Sequence, residues 1–268
     1  MSTYKNDRAE YLRESLLSVI NQTVSPTEII LVVDGPISQE LGSIITDFKK
    51  KNECLKTIWL KENVGLGNAR RIGLRNCNYE LIAIMDSDDI SQPGRFEKQL
   101  RCFEEDKDLS VVGGYICEFI GNINSVVGVR TVPLSDNEIK LYLKSRCPFN
   151  HMTVMFRKSA VLEAGGYLDW YFNEDYYLWI RMYQSGAKFK NLINNLVNVR
   201  VGSDMYHRRG GWGYFKSEVK LQGYMLKQGI IGFGQYIFNV ILRFLVQVLI
   251  PSEVRGVIFR KFFRKQNE

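Results

Sequence analysis

Apolar residues recur along the first hundred residues with two alternating rhythms. From Arg8 to Gln22 the positions Leu12, Leu16, Val19 and Ile20 fall on one helical face, and Asn6 or Asp7 stands where a cap would. Glu28 to Val33 is a short apolar run, a buried strand closed by the turn residues Asp34-Gly35-Pro36. Ile37, Leu41, Ile44, Ile45 and Phe48 mark a second helix, and Thr57 to Leu60 a second strand. Asn63 is placed to cap a third helix through Ala69 and Ile72 to Arg75. Glu80 to Met85 is another apolar strand, and Pro93 suits the first turn of a helix with Phe96, Leu100 and Phe103 inward. This alternation predicts an α/β fold built on a mostly parallel sheet with right-handed crossovers.

After Asp108 the rhythm changes. Leu109 to Ile120 reads as a strand, Gly121 to Pro133 as a loop or hairpin, and Ser135 with Glu138 as a capping box opening a helix to Lys144. Met152 to Arg157 predicts a strand, then a short helix stopped by Gly165-Gly166. A further helix over Tyr176 to Ser185 ends at Gly186. Strands near Lys188 to Leu192 and Leu196 to Val201 close a main domain of residues 1–205. Residues 206–268 form a helical tail. A helix over Tyr214 to Gln228 precedes a very apolar stretch around Phe233, Ile237, Val240, Ile241, Phe244, Leu245 and Val248. Its polar residues Gln235, Asn239, Arg243 and Gln247 stand four apart, as one narrow stripe. Beyond Pro251, Val254, Val257, Ile258, Phe262 and Phe263 alternate with Arg255, Arg260, Lys261, Arg264 and Lys265. Tyr236 to Ile250 is shorter than the roughly 20 apolar residues of a spanning helix, so the pattern predicts an amphipathic helix lying in a membrane surface. A helical pair packed on the main domain or in a dimer is the competing reading.

The 268 residues are 45% hydrophobic and 24% charged, the balance of a chain with a sizeable core. A net charge of +7 favours an anionic partner, which includes nucleotide phosphates and acidic membrane surfaces. The basic residues gather near the apolar tail rather than among stacking aromatics, which argues against nucleic acid. Five cysteines without a CxxC pair read as free thiols of a reducing compartment, and the polar start predicts no signal peptide.

The chemistry concentrates in Met85-Asp86-Ser87-Asp88-Asp89. Three carboxylates in four residues, at the carboxyl end of a predicted parallel strand, occupy the edge where ligands bind in open α/β sheets. Such anions repel unless a cation sits among them, and Mg²⁺ is usually held by one or two carboxylates plus substrate phosphates. An acidic turn before a helix is the competing reading. Asp34 ends an earlier strand at the same edge, either to accept from a base or ribose or simply to make a turn. Asn63-Val64-Gly65-Leu66-Gly67 lacks the third glycine of a dinucleotide fingerprint, leaving Arg70 or Arg71 to face an anion or solvent. Glu174-Asp175 stands at a helix N-terminus, where acids are favoured by the dipole. The two histidines, His151 and His207, have no partners in a motif.

In order along the chain these residues resemble the family 2 glycosyltransferases of the A-type nucleotide-sugar fold. Thr3-Tyr4 is similar to the end of that family's first strand, and Val33-Asp34-Gly35 to its aspartate-glycine turn. Asn63-Val64-Gly65 with Ala69-Arg70 resembles the next motif, Met85 to Asp89 the metal-binding motif, and Glu174-Asp175 the motif of the catalytic base. Asn150 to Arg157 and Gly165-Gly166-Tyr167 look like the form found in bacterial surface-polysaccharide enzymes of the O-antigen and capsule type. The resemblance covers residues 1–205. It departs at Val33, where one of two paired acids is usual, and before Ser2-Thr3-Tyr4, where the apolar residues of the family's first strand are absent. The QxxRW motif of processive synthases is also missing, which favours addition of a single sugar.

The resemblance implies an inverting transfer of one sugar from a nucleotide sugar, UDP-linked, to a lipid-pyrophosphate-linked saccharide at the cytoplasmic face of the inner membrane. It assigns Asp175 as base, Asp88 as metal ligand for Mg²⁺ or Mn²⁺, and Thr3, Tyr4, Asp34, Arg71 and Asp86 as donor-binding residues. Asp89, His151, Glu174, Arg208 and Arg209 are further substrate candidates. The alternatives are a nucleotidyltransferase, against which the chain shows no basic glycine-rich phosphate loop, and a non-catalytic membrane-surface nucleotide-binding protein.

Overall fold

A computed structural model describes residues 1–202 and 210–250. The order is β1 (Ser2–Thr3), α1 (Ala9–Ile20), β2 (Ile29–Val33), α2 (Gln39–Lys51), β3 (Leu55–Trp59), α3 (Leu66–Asn76), β4 (Leu81–Ala83), β5 (Ile90–Ser91) and α4 (Arg95–Glu105). Then come β6 (Leu109–Phe119), β7 (Val126–Arg130), α5 (Asp136–Leu143), a 3₁₀ turn at His151–Thr153, β8 (Met155–Arg157), α6 (Lys158–Glu163), α7 (Glu174–Gln184) and β9 (Lys188–Arg200). Helices α8 (Gly211–Lys227) and α9 (Phe233–Phe244) follow, and α9 runs into a π-helical turn at Leu245–Leu249.

The predicted α/β class holds. β1, β2 and β3 form a parallel sheet in that order, and β4, β8, β6, β9 and β5 form a mixed one with β7 on β6. Among the described residues of that second sheet, β6 and β9 run parallel and the other pairings are antiparallel. All five residues of β2 are buried, as expected of an apolar run covered on both faces. α1 and α2 cover one face with Leu12, Leu16, Leu41 and Ile45, each closed off from solvent. Burial of such side chains stabilises by about 1.5–3 kcal/mol each.

Local chemistry explains where the elements depart from the sequence pattern. α1 begins after Arg8 without a side-chain cap, because the Asp7 carboxylate is turned to Ser87 and the Tyr4 N–H. α3 is capped at Gly65 rather than at Asn63, whose amide is committed to Asp34. α4 begins one residue after Gly94, with Pro93 ahead of it. The Ser135–Glu138 capping box is present, both halves made. The two strands expected after Gly186 are one strand, β9, whose ladder with β6 is irregular around Gly114 and Tyr115. A Cβ at Gly114 would lie 2.6 Å from Leu196 Cδ1, so the close approach of the two strands needs glycine there.

The tail packs through its polar stripe. Asn239 donates to Gln222 (2.8 Å) and to the Lys144 carbonyl, and Arg243 pairs with Glu218 and donates to the Ser145 carbonyl at 2.7 Å. These groups lie buried between α9, α8 and the end of α5, while Phe233, Phe238, Ile241, Leu242, Leu245 and Leu249 are exposed. Among the described residues no helix is long and apolar enough to cross a membrane. The basic stretch after Pro251, like Arg208, Arg209 and His207, lies outside the described residues.

Candidate active site

The acid turn that follows β4 is held from three sides. Ser15 on α1 donates to the Asp86 carbonyl at 2.8 Å, and Ser87 donates to the Asp7 carboxylate at 2.7 Å. Arg200, at the end of β9, donates its backbone N–H to Asp89 Oδ1 at 2.9 Å and its side chain to the Asp88 carbonyl at 3.3 Å. Its guanidinium lies over the rings of Tyr11 and Phe119 and pairs with Glu14, which fixes the fork. The three acids therefore have different surroundings. Asp89 is buried, and burial, with Asp88 and Asp86 beside it, pushes its carboxyl well above the ordinary range. Asp88 is exposed and Asp86 half-exposed. Of the acids in the turn, Asp86 and Asp88 are the two open to a ligand.

Beneath the turn runs Arg95, fully buried, donating to the Ile84 carbonyl at 2.7 Å and to the Val154 carbonyl at 3.3 Å. Burial lowers its guanidinium to about 9, Asp86 acting in the opposite sense. This arginine ties the end of β4 to the chain entering β8.

Asp34 is buried at the end of β2, and its carboxylate gathers the loop before α3. Oδ1 accepts from the Val64 N–H at 2.7 Å; Oδ2 accepts from Gly65 N–H at 3.2 Å and from Asn63 Nδ2 at 3.0 Å. Gly35 has φ 86°, and a Cβ on it would stand 2.7 Å from the Asn63 nitrogen, so the turn and the loop close only on glycine. Thr3 is buried beside this edge, its carbonyl accepting from the Asp34 N–H at 2.8 Å, and Tyr4 is exposed just beyond.

Arg70 joins the two acidic motifs. Its guanidinium pairs with Asp86 Oδ1 at 3.0 Å and with Glu174 Oε1 at 3.1 Å, across 16 and 104 residues of sequence. The arginine that reaches the acids is thus Arg70; Arg71, the neighbour singled out from the sequence, is one helical position round and half-buried. Burial and the adjacent Asp175 raise the Glu174 carboxyl, while Arg70 opposes both. A Cβ on Gly67 would stand 3.4 Å from Glu174 Cβ, so the start of α3 lies against the start of α7.

Asp175 is half-buried at the head of α7, whose inward residues Leu178, Trp179 and Met182 are fully buried. Its Oδ1 accepts from the Tyr176 N–H at 2.7 Å, and the half-buried Cys147 thiol lies 3.9 Å from Oδ2. Burial, then Asp175, raises that thiol, so it stays protonated. His151 is buried between Tyr167 and Trp179, with Nε2 3.3 Å from the Tyr167 hydroxyl and Nδ1 without a hydrogen-bond partner. Burial and the Arg70 charge push its pKa well down, so it is a neutral ring under the site rather than a group open to it.

The structure thus gathers Asp86, Arg70 and Glu174 directly, with Asp88 and Asp175 as their chain neighbours. Arg95, Arg200 and Asp7 are additional members of the site. For Arg70 a signal was present: it shares the i, i+3, i+4, i+7 stripe with Gly73, Leu74 and Cys77 that faces the sheet.

Residues 1–162 match the description Glycosyl transferase family 2. The chain is 41% identical over 265 residues to an uncharacterized glycosyltransferase of Haemophilus influenzae, covering 99% of this chain and 98% of that one. It is 35% identical over 265 residues to the UDP-Gal:alpha-D-GlcNAc-diphosphoundecaprenol beta-1,3-galactosyltransferase of Escherichia coli, covering 99% and 95%. Among solved structures it is similar to S. aureus TarS 1-349 in complex with UDP-GlcNAc, with a TM-score of 0.66 at 17% identity over 91% of this chain and 71% of that one. It is also similar to the mannosyltransferase PcManGT of Pyrobaculum calidifontis in complex with GDP-Man and Mn²⁺, with a TM-score of 0.64 at 13% identity over 96% and 73%. With the acid turn and the Glu174-Asp175 helix start joined through Arg70, these similarities place the chain in glycosyl transferase family 2.

Proposed function

We propose that this glycosyltransferase moves one sugar from a UDP-sugar to the saccharide of a lipid-pyrophosphate-linked acceptor, with inversion, in the synthesis of a bacterial surface polysaccharide. The observation that carries the reading is the Arg70 bridge, which sets the acid turn of β4 against the head of α7. The relative acting on a diphosphoundecaprenol-linked sugar and the neighbour with bound UDP-GlcNAc support the acceptor and donor classes.

The Asp34 loop, with Thr3 and Tyr4 at its side, lines the edge for the base and ribose, and Arg71 is a further donor contact. Asp86 and Asp88 would hold Mg²⁺ or Mn²⁺ together with the donor phosphates, since such a cation is usually held by one or two carboxylates plus substrate phosphates. The Mn²⁺ complex of the mannosyltransferase neighbour supports this choice. Such a cation supplies counter-charge to the leaving diphosphate. Arg70 holds Asp86 and Glu174 in place, and Glu174 in turn fixes the first turn of α7. Asp175 then accepts the proton of the acceptor hydroxyl as its oxygen bonds to the anomeric carbon and the bond from that carbon to UDP breaks.

The tail supports a peripheral contact with the cytoplasmic face of the inner membrane. A helix that buries its polar stripe and exposes its apolar side presents lipid with the face that a water-soluble packing would hide. Arg208 and Arg209, close in sequence to this region, are proposed to meet the acceptor pyrophosphate.

Asp175→Asn tests the reading. It keeps the size and removes the proton acceptor. Donor affinity, measured by calorimetry, is expected to stay within a few-fold while transfer falls by about 10²–10⁴. Wild-type turnover in that variant would remove Asp175 from the base role.

A further inference from the structure

The carbonyls at the end of α5 are shared between two other helices. A helix leaves its last C=O groups without donors of its own, and each one that is buried needs a partner from elsewhere. At α5 the following residues supply two of them. Leu141 accepts from the Lys144 N–H at 3.2 Å, and Tyr142 from the Ser145 and Arg146 N–H groups at 3.0 and 2.9 Å. The next three carbonyls accept from distant side chains. Leu143 accepts from the Tyr176 hydroxyl of α7 at 2.5 Å. Lys144 accepts from Asn239 of α9 at 3.0 Å and from Gln235 at 3.4 Å, and Ser145 accepts from Arg243 at 2.7 Å.

Tyr176 is buried and bonds at both of its ends. Its hydroxyl holds Leu143, and its backbone N–H donates to Asp175 Oδ1 at 2.7 Å. Burial raises the hydroxyl well above its ordinary value, so it stays a donor. A phenylalanine would serve packing alone, and a buried hydroxyl costs stability unless it is bonded. Tyrosine has two side-chain torsions, so a hydroxyl pinned at Leu143 restrains the backbone that holds the Asp175 carboxylate. The same helix start is tied to α8. Asn173 Nδ2 donates to Ser217 Oγ at 3.2 Å, one residue before the Glu218 that pairs with Arg243.

We propose that Tyr176 is a positioning residue for Asp175, and that α9 steadies it by holding the two carbonyls that follow its acceptor at the end of α5. This role rests on Asp175 acting as the base. The tail then has a task at each face. Its apolar side is left for lipid, and its polar stripe reaches the head of α7 through Leu143, Lys144 and Ser145.

The test uses full-chain variants. Tyr176→Phe removes the hydroxyl and keeps the ring. Arg243→Lys keeps a charge for Glu218 and gives up the fork that reaches Ser145. Tyr224→Phe is the control, because its hydroxyl bonds Gln184 at the far end of α7. Amide exchange at residue 176 is read without substrate. UDP affinity is read by calorimetry, and turnover as UDP released from mixed UDP-sugars over a lipid-diphosphate saccharide. Exchange at residue 176 is expected to be at least about tenfold faster in Tyr176→Phe and in Arg243→Lys, and unchanged in the control. Turnover should fall about tenfold in the first and about threefold in the second, with UDP affinity within about twofold in both. The double variant should turn over within about twofold of Tyr176→Phe, because the second loss acts through the bond that the first has removed. Should Tyr176→Phe not fold, Arg243→Lys carries the test alone. Unchanged exchange at residue 176 in Arg243→Lys would overturn the proposal, as would equal falls in turnover and UDP affinity. Asp175→Asn, run alongside, separates the two readings. Wild-type turnover there removes the base assignment, whereas an inactive Asp175→Asn beside a fully active Tyr176→Phe overturns the positioning role alone.

Discussion

Replacing Arg70 by Met separates the bridge from the fold around it. The guanidinium is largely shielded, with a side-chain exposure of 10%, and so is Glu174, at 13%, whereas Asp86 keeps 29%. Two unit charges 3 Å apart attract by roughly 5 kcal/mol at an effective dielectric constant of 20, a gross figure offset by the desolvation of both. Breaking such a buried pair by removing one partner costs about 3–5 kcal/mol, because the remaining carboxylate stays enclosed and unpaired. Arg70→Met is therefore expected to lose about that much stability near neutral pH. Glu174→Gln should lose less, because Asp86 still pairs with Arg70. The double variant should recover about 1–3 kcal/mol of the summed loss. The pH dependence has a definite sign. The Glu174 carboxyl is raised in the folded protein, and losing Arg70 removes the one influence that lowers it most. A group raised on folding stabilises most below its unfolded value, near 4.3, and that contribution fades as pH rises through the folded value. The Arg70→Met defect should then shrink as the solution is acidified towards pH 5 and grow towards pH 8. Urea unfolding of the four proteins at both pH values reads all of this. Additivity within about 0.5 kcal/mol, with the same loss at both pH values, would refute the bridge as the tie between the motifs.

Excess chelator is expected to abolish transfer and Mg²⁺ or Mn²⁺ to restore it, and Asp88→Ala should reproduce the chelated state; full transfer in chelator would refute the metal assignment. Phe238→Glu with Ile241→Glu places two charges on the exposed side of α9 and should release the chain from anionic vesicles in a sedimentation assay. Transfer to a water-soluble acceptor should stay unchanged, and equal partitioning of variant and parent would make that face a packing surface.

Much of the architecture was legible because it rests on local pattern. The five-residue run of β2 and the capping box at Ser135 each follow from spacing and residue type alone. The acid turn was legible for the same reason, as was its place at a strand end. What stayed hidden rests on contacts between distant parts of the chain. Arg200 lies 111 residues from Asp89, and no spacing rule links them. The choice between Arg70 and Arg71 depended on the phase of α3, which Asn63 obscured by looking like a cap while serving Asp34. Adjacent residues on a helix point about 100° apart, so Arg70 and Arg71 face different surroundings. The tail poses the same problem in reverse. Its sequence showed two faces and did not say which was inside. Glu218 and Gln222, four apart on α8, settle it by meeting Arg243 and Asn239. A buried arginine there needs its glutamate, so the polar stripe can be lost only by losing the packing of α9. That packing is what leaves the apolar side open. The exposed face of α9 is thus a consequence of which polar groups α8 supplies, and the hydrophobic pattern of α9 alone would have fitted either orientation.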